Sequence, residues 1–272
     1  MPNDIPDWEG PGTAAQSVSD PLKFLNVISH RRYLLHEEDA NKWEEGQYGR
    51  KLIDDKCNVS VIRWTTISGT ITSDTTTYLN PSASIKMVSP AVAGNVAQVR
   101  QFTQLAADQG TSTFPLVVAE IMFQPRDVNI RSVQLFGRFD DTVKKWQAAV
   151  RFHFRQAGVT NMALEYLDST GNFVQQSTYT LRDGGGNVGD AYHHLMMALN
   201  YKQGSAGYCN YKIIKVDDDT EFPTGPPSAQ SVATGGVREA AWDIITEDDN
   251  AVATTCNIGQ INAGDLSNAF QL

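Results

Sequence analysis

The sequence lacks the features by which several large protein classes are recognised. Its 272 residues include only three cysteines, Cys57, Cys209 and Cys256, and no two of them have CxxC spacing. An odd number of widely spaced cysteines excludes a disulfide framework and a zinc ribbon. At most one bridge could form, and we predict instead three buried free thiols within strands.

Basic residues and long apolar runs are also scarce. Lys and Arg total 22 against 31 Asp and Glu, which gives a net charge of −9. Because an acidic chain repels phosphate backbones, nucleic-acid binding is not expected. No stretch approaches the roughly 18 apolar residues of a membrane-spanning helix, so no membrane partner is expected. Residues 1–8 have no basic start and no apolar run, so we predict synthesis in a cytoplasm without a signal peptide.

Motifs of the common catalytic classes are missing as well. The sequence contains no G-x-S-x-G, no G-x-x-x-x-G-K-[ST] and no H-E-x-x-H pattern. These patterns mark serine hydrolases, P-loop nucleotide sites and zinc peptidases. The run Gly184, Gly185, Gly186 has no helix predicted after it, so it is not a phosphate cradle. We therefore expect a protein that is not an enzyme.

The strongest pattern that is present is period-2 hydrophobic alternation. In residues 145–155, apolar side chains at Trp146, Val150 and Phe152 alternate with polar ones such as Arg151. Such alternation predicts a strand with one face in a core and one in water. Residues 116–123 are almost all apolar, which predicts a central strand buried on both faces. Further strands are predicted at 59–67, 71–78, 84–88, 129–136, 161–167, 172–181, 192–202 and 207–216.

These short strands, separated by turns such as 168–171, predict an all-β, two-sheet antiparallel jelly-roll sandwich. We divide the chain into three parts. Residues 1–50 form an extended arm over 1–20 and a short helix over 21–29. Residues 51–222 form the sandwich, in which 95–108 is a strand bordering a short helix. Residues 223–272 are a Pro/Gly linker followed by strands at 240–246 and 251–258, which complete the sandwich or pair with a neighbouring molecule.

One stretch resembles a known family. Tyr192, His193 and Leu195 in one predicted strand, a turn at Gly204 and Tyr208 in the next resemble the concanavalin-A-like, laminin-G-type sandwiches. The resemblance covers about 100 residues and implies a two-sheet jelly roll without implying a function. The family's glucanases have a Glu-x-Asp-x-x-Glu strand, and this sequence has none. The overall layout also resembles, more weakly, structural proteins of tailed phages.

Several residues are candidates for chemistry, each with an ordinary structural alternative. Glu120 lies in an apolar strand with no second carboxyl on that strand, so paired-carboxylate catalysis is not predicted. His193 and His194 are adjacent and point to opposite faces, so they cannot form a metal pair. The acidic run Asp217, Asp218, Asp219 is a possible calcium site, although acidic turns are common.

Aromatic residues suggest two further roles. Trp64 and Trp43 are candidates for stacking on sugar rings, although most aromatic side chains of a sandwich lie in its core. Trp8 in the arm, and Phe270 and Leu272 at the apolar C-terminal tip, are candidates for docking on a neighbouring subunit.

Three functional hypotheses follow. The first is a non-enzymatic structural protein that assembles with copies of itself or with other virion proteins, as a phage decoration, shell or tail component. The alternative is a carbohydrate-binding β-sandwich module with a glycan as partner and calcium as an optional cofactor. A glycan-cleaving enzyme is the third, against which the missing paired carboxylates argue.

Overall fold

The computed structural model describes residues 50–58, 64–80, 82–92, 94–104, 116–127, 129–154, 162–179, 191–217, 219–221, 223, 228–249 and 251–265. Within these ranges it contains the following strands: β1 (Arg50–Asp55), β2 (Thr65–Ser68), β3 (Thr70–Asp74), β4 (Ser84–Val88), β5 (Val96–Gln104), β6 (Leu116–Pro125), β7 (Ile130–Asp141), β8 (Lys145–His153), β9 (Met162–Leu167), β10 (Phe173–Tyr179), β11 (His193–Lys202), β12 (Tyr208–Val216), β13 (Asp219–Glu221), β14 (Gln230–Val232), β15 (Arg238–Asp248) and β16 (Thr255–Asp265).

The strands form two antiparallel sheets. Sheet A has the order β13-β12-β11-β6-β16-β4-β3, and β1 pairs with β16 beyond the end of β4. Sheet B has the order β10-β9-β8-β7-β15-β5-β2, and β14 pairs with β8. The chain crosses repeatedly between the sheets, for example from β5 to β6 to β7, as in a jelly roll. The predicted all-β, two-sheet antiparallel sandwich is therefore confirmed.

The core lies between the sheets and is built from the alternation seen in the sequence. In β8, Trp146, Ala148, Val150 and Phe152 are buried in it. In β6 every residue is buried, and the strand lies between β11 and β16. The central position of β6 is confirmed. The core face of β8 is also as predicted, but Ala149 and His153 on its other face are buried instead of lying in water. Aromatic rings fill the interior, with Phe139 stacked edge-on to Trp242 at 5.3 Å between centroids.

The two C-terminal strands occupy central positions. β15 pairs with β7 on one side and β5 on the other. β16 pairs with β6 on one side, and with β4 and β1 on the other. Both strands are thus paired on both sides by strands of the same chain, and the longest pairing among the described residues, between β15 and β7, includes one of them.

Local turns follow from their sequences. At the predicted hairpin between β9 and β10, Asp168 Oδ1 accepts hydrogen bonds from the backbone N–H groups of Thr170 and Asn172. Gly171 takes a φ of +88°, which a side chain would disfavour. At residues 68–70 the chain passes from sheet B to sheet A through Gly69, whose φ is +75°.

Other sequence predictions have mixed outcomes. The three cysteines are free and buried as predicted, but Cys57 follows β1 instead of lying in a strand. The predicted arm and short helix at 1–29, and the helical part of 95–108, lie outside the described residues. Among the described residues, no helix has the length and apolar character needed to span a membrane.

Candidate functional site: the arginine face

The outward face of sheet B carries three arginines, Arg100 of β5, Arg138 of β7 and Arg151 of β8. Each arginine is next in sequence to a residue that is buried in the core. These neighbours are, in the same order, Val99, Phe139 and Val150. Since side chains alternate along a strand, the three guanidinium groups project away from the core. We call this surface the arginine face, and it also includes Asp243, Glu165, Phe102, Phe136 and Phe173.

Asp243 joins two of the arginines. The Nε and Nη2 atoms of Arg100 donate to its two carboxylate oxygens at 2.6 and 2.9 Å. Arg138 Nη2 lies 2.9 Å from Oδ2, and Gln98 Nε2 donates to the same oxygen at 2.8 Å. The Asp243 side chain is 0% exposed. A buried carboxylate with these donors is a fixed counter-ion for both guanidinium groups.

Glu165 holds the third arginine. Arg151 Nε donates to Glu165 Oε2 at 2.6 Å, and His153 Nδ1 lies 3.6 Å from Oε1. Burial acts to raise the pKa of Glu165, but His153 and Arg151 together outweigh it and hold that pKa below its ordinary value. Glu165 is therefore an ionised partner of Arg151 at neutral pH.

Each arginine also lies over a phenylalanine ring. The guanidinium carbon of Arg151 is 3.7 Å from the centroid of Phe173. The corresponding distance is 4.9 Å for Arg138 over Phe136 and 5.8 Å for Arg100 over Phe102. A guanidinium group held at its edge by a carboxylate and at its face by an aromatic ring has few remaining conformations.

Exposure differs between the positive and negative groups of this face. The side chains of Arg100, Arg138 and Arg151 are 20%, 23% and 20% exposed, whereas Asp243 and Glu165 are 0% and 5% exposed. The surface therefore presents N–H donors and ring edges to solvent, with the carboxylates beneath them. Such a surface can bind planar, oxygen-rich ligands through hydrogen bonds and stacking.

The outward face of sheet A carries a second polar group, the Glu120 cluster, formed by Glu120, His194 and Asn262. His194 Nε2 lies 2.8 Å from Glu120 Oε2, and Asn262 Nδ2 donates to Glu120 Oε1 at 3.0 Å. Lys215 lies in the same cross-strand row, since both it and Glu120 pair with Met196. All four residues are buried.

The Glu120 cluster corrects part of the sequence interpretation. Sequence reasoning found no partner for Glu120 along its own strand, and the partners come from β11 and β16 instead. His193 and His194 do point to opposite faces as predicted: the His193 ring lies 5.7 Å from that of Phe123 in the core. Because the cluster is buried, a ligand cannot reach it in this conformation, and we do not assign it a ligand.

Of the two tryptophans predicted for sugar stacking, the structure describes Trp64, which does not lie on an exposed face. Trp64 is 4% exposed and belongs to the core, and its Nε1 donates to Asp55 Oδ2 at 2.9 Å. Its predicted role as an exposed platform is therefore wrong, because a tryptophan in a sandwich gains more from burial. Trp43 lies outside the described residues, as do Trp8, Phe270 and Leu272, so the assembly prediction stays a prediction.

The predicted calcium site is described only in part. Asp217 Oδ2 lies 2.8 Å from His193 Nδ1, and its Oδ1 accepts from the His194 backbone N–H at 2.9 Å. Asp218 and the side chain of Asp219 lie outside the description. In the part of the chain that is described, no group of three or more His, Cys, Asp or Glu side chains could hold a metal ion. Calcium binding at 217–219 stays a prediction.

Comparisons with known proteins give similarity in fold only. No family model and no curated protein match the chain. Among solved structures, the chain is similar to an endo-β-1,4-glucuronan lyase from the fungus Trichoderma reesei, with 9% identity, a TM-score of 0.47, and coverage of 79% of this chain and 98% of that one. It is also similar to the carbohydrate recognition domain of Emp46p in its potassium-bound form, with 11% identity, a TM-score of 0.42, and coverage of 80% and 96%. A Bacteroides ovatus mixed-linkage glucan GH16 protein has 11% identity, a TM-score of 0.42, and coverage of 78% and 99%. None of these similarities is close enough to assign an activity, and none supports the phage resemblance.

Proposed function

We propose that this protein is a carbohydrate-binding β-sandwich module whose ligand lies against the arginine face. The observation that carries the proposal is the repeated arrangement of an arginine fixed by a buried carboxylate and stacked on a phenylalanine, found three times on one partly exposed sheet. The arginines are ordered before a ligand arrives. Less conformational entropy is then lost on binding, which favours affinity.

The chemistry of the face favours glycans over other ligands. Sugar rings offer hydroxyl oxygens that accept from guanidinium N–H groups, and flat C–H faces that pack on aromatic rings. Phe102 is 53% exposed at one side of the face, next to Arg100, and provides such a ring. Carboxylated sugars can also accept two N–H groups from one arginine, so acidic glycans should bind more strongly than neutral ones.

We further propose that the module binds without cleaving. Cleavage of a glycosidic bond by paired carboxylates needs one of the two to be a protonated acid. Asp243 and Glu165 both accept hydrogen bonds from guanidinium groups through their carboxylate oxygens. Neither is arranged as a proton donor.

A glycan array with neutral and uronic-acid-containing oligosaccharides tests the proposal. Wild-type protein should retain a subset of glycans, and Arg151→Ala should weaken that retention about 10- to 100-fold, the range for one lost charged hydrogen bond. Lys212→Ala is the matched control, since Lys212 is an exposed cation on β12 of the other sheet. Retention of no glycan, or equal retention by Arg151→Ala, would overturn the proposed site. Release of new reducing ends from a retained glycan would overturn the non-enzymatic assignment.

A further inference from the structure

Asp248, the last residue of β15, has a buried carboxylate without a partner. Its side chain points into the sandwich, on the same face of β15 as Trp242 and Ile244 of the core. The residue is 0% exposed, and neither carboxylate oxygen has a hydrogen-bond partner. A buried carboxylate is strongly destabilising when it is ionised unless a positive group compensates it.

A second buried side-chain oxygen on the same strand also lacks a hydrogen-bond partner. Thr246 lies two residues earlier on the same face of β15, is 1% exposed, and its Oγ1 also has no partner. Buried hydroxyl and carboxylate oxygens are normally satisfied, so two unsatisfied ones on one strand face need an explanation. Both are oxygen donors suited to a hard cation.

Further carboxyl-bearing residues lie near the end of β15, and among the described residues none of the basic side chains pairs with Asp248. Asn129 links two further carboxyl-bearing residues: its backbone N–H donates to Asp127 Oδ1, and its carbonyl accepts from the Asp249 backbone N–H. The neighbouring Glu247 already has its own partner, Arg131, at 3.1 Å. The end of β15 therefore carries a buried carboxylate that no basic side chain of the described residues contacts.

We infer that Asp248 and Thr246 are ligands of a hard, oxygen-seeking cation bound between the sheets at the end of β15. Among the described residues of β15, Asp248 alone has a carboxylate on the core-facing side. The described residues also contain no cluster of three acidic, His or Cys side chains suited to a metal. The remaining ligands would then be neutral oxygens. One carboxylate with neutral oxygens suits Na⁺ or K⁺, or a partly hydrated Ca²⁺. This site is separate from the arginine face and does not depend on the proposed function.

Thermal unfolding of the whole chain tests the inference. Protein stripped with EDTA and dialysed into choline chloride would be compared in CaCl₂, KCl and NaCl at matched ionic strength. A cation at about 100 times its Kd should raise the melting temperature by about 5–10 °C. The cation that gives this shift identifies the ion. Native mass spectrometry of the same sample should show one bound ion per chain for Ca²⁺.

Two isosteric variants and two controls make the test specific. Asp248→Asn should abolish the cation-dependent shift, and in choline chloride it should be at least as stable as the wild type because it removes the uncompensated charge. Thr246→Val should reduce the shift while leaving the carboxylate in place. Asp168→Asn, on the exposed hairpin turn, and Asp219→Asn, in the acidic run, should keep the full shift.

Three outcomes would overturn the inference. The first is a melting temperature of the wild type that no cation changes, which would mean that Asp248 is neutral or bound to water. The second is a cation response in Asp248→Asn equal to that of the wild type. The third is a response lost in Asp219→Asn and kept in Asp248→Asn, which would place the ion at the acidic run. If Asp248→Asn does not fold, the inference is tested with Thr246→Val. A cation-dependent melting-temperature shift equal to that of the wild type in that variant would overturn the site.

Discussion

Replacing Asp243 with asparagine tests whether the arginine face is held together by its buried carboxylate. Asparagine keeps the size of the side chain and one carbonyl oxygen, but it removes the negative charge between Arg100 and Arg138. Arg138 would lose its ion-pair partner at 2.9 Å, and Arg100 would lose one of two donated hydrogen bonds. The two guanidinium groups would then repel each other without a counter-ion between them.

The magnitude follows from the exposure of these groups. Removing one partner of a fully buried ion pair costs about 3–5 kcal/mol. Here the two arginine side chains are 20% and 23% exposed, so water recovers part of that loss. We expect the free energy of unfolding to fall by about 2–3 kcal/mol, and the melting temperature by about 4–12 °C.

Calorimetry of Asp243→Asn against Asp168→Asn provides the measurement. Asp168→Asn makes the same chemical change at an exposed turn, where Asn can still accept the turn's hydrogen bonds. A double variant, Arg138→Met with Asp243→Asn, should lose less than the sum of the single changes because the two residues interact. A melting temperature for Asp243→Asn within about 1 °C of the wild type would refute the reasoning, since the carboxylate would then contribute almost nothing.

Three further predictions concern acid stability, a turn and assembly. The pKa of Glu165 is lower in the folded chain than its ordinary 4.5, so its stabilising effect is present above that pH and is lost as pH falls through the folded pKa. Glu165→Gln should therefore be less stable than the wild type in urea at pH 7, with the difference shrinking as pH falls from 4.5 through the lowered folded pKa; a difference constant with pH would contradict this. Gly69→Ala should lower the free energy of unfolding by at least about 2 kcal/mol, because the φ of Gly69 is positive and the new Cβ would lie 2.7 Å from Ala97 Cβ. Gly236 has a similar φ but open space around it, so Gly236→Ala should lower the free energy of unfolding by about 1 kcal/mol. If the protein assembles through its arm, light scattering should show a trimer or larger oligomer that dissociates when residues 1–20 are removed. A monomer for both the whole and the truncated chain would exclude that role.

The fold could be predicted from local patterns where those patterns are strong. The alternation in β8 and the continuous apolar run of β6 needed no knowledge of their neighbours. The last strand was harder: it was predicted at 251–258, whereas β16 is Thr255–Asp265. Its second half contains Gly259, Asn262 and Gly264, residue types that are rare in strands. Pairing on both sides outweighs that intrinsic preference.

The candidate site was less predictable because its contacts are distant in sequence. Arg151 was recognised on the polar face of its strand, but the pairing of Arg100 with Asp243 joins residues 143 positions apart. The position of Asp243 between Trp242 and Ile244 was the available signal, since an outward carboxylate in an otherwise apolar strand needs a partner. Trp64 shows the opposite case, in which a residue type alone suggested a surface role that burial excludes.

The central positions of β15 and β16 have a consequence for how the chain folds during synthesis. Until residues 238–265 leave the ribosome, β7 and β5 in one sheet, and β6, β4 and β1 in the other, have exposed edges where these strands belong. A nascent chain in that state can assemble separate hairpins but not a closed core, and its open edges invite pairing with other chains. Folding of the sandwich should therefore wait until these two strands are available, and a chain stopped before residue 238 should aggregate instead of forming a smaller domain.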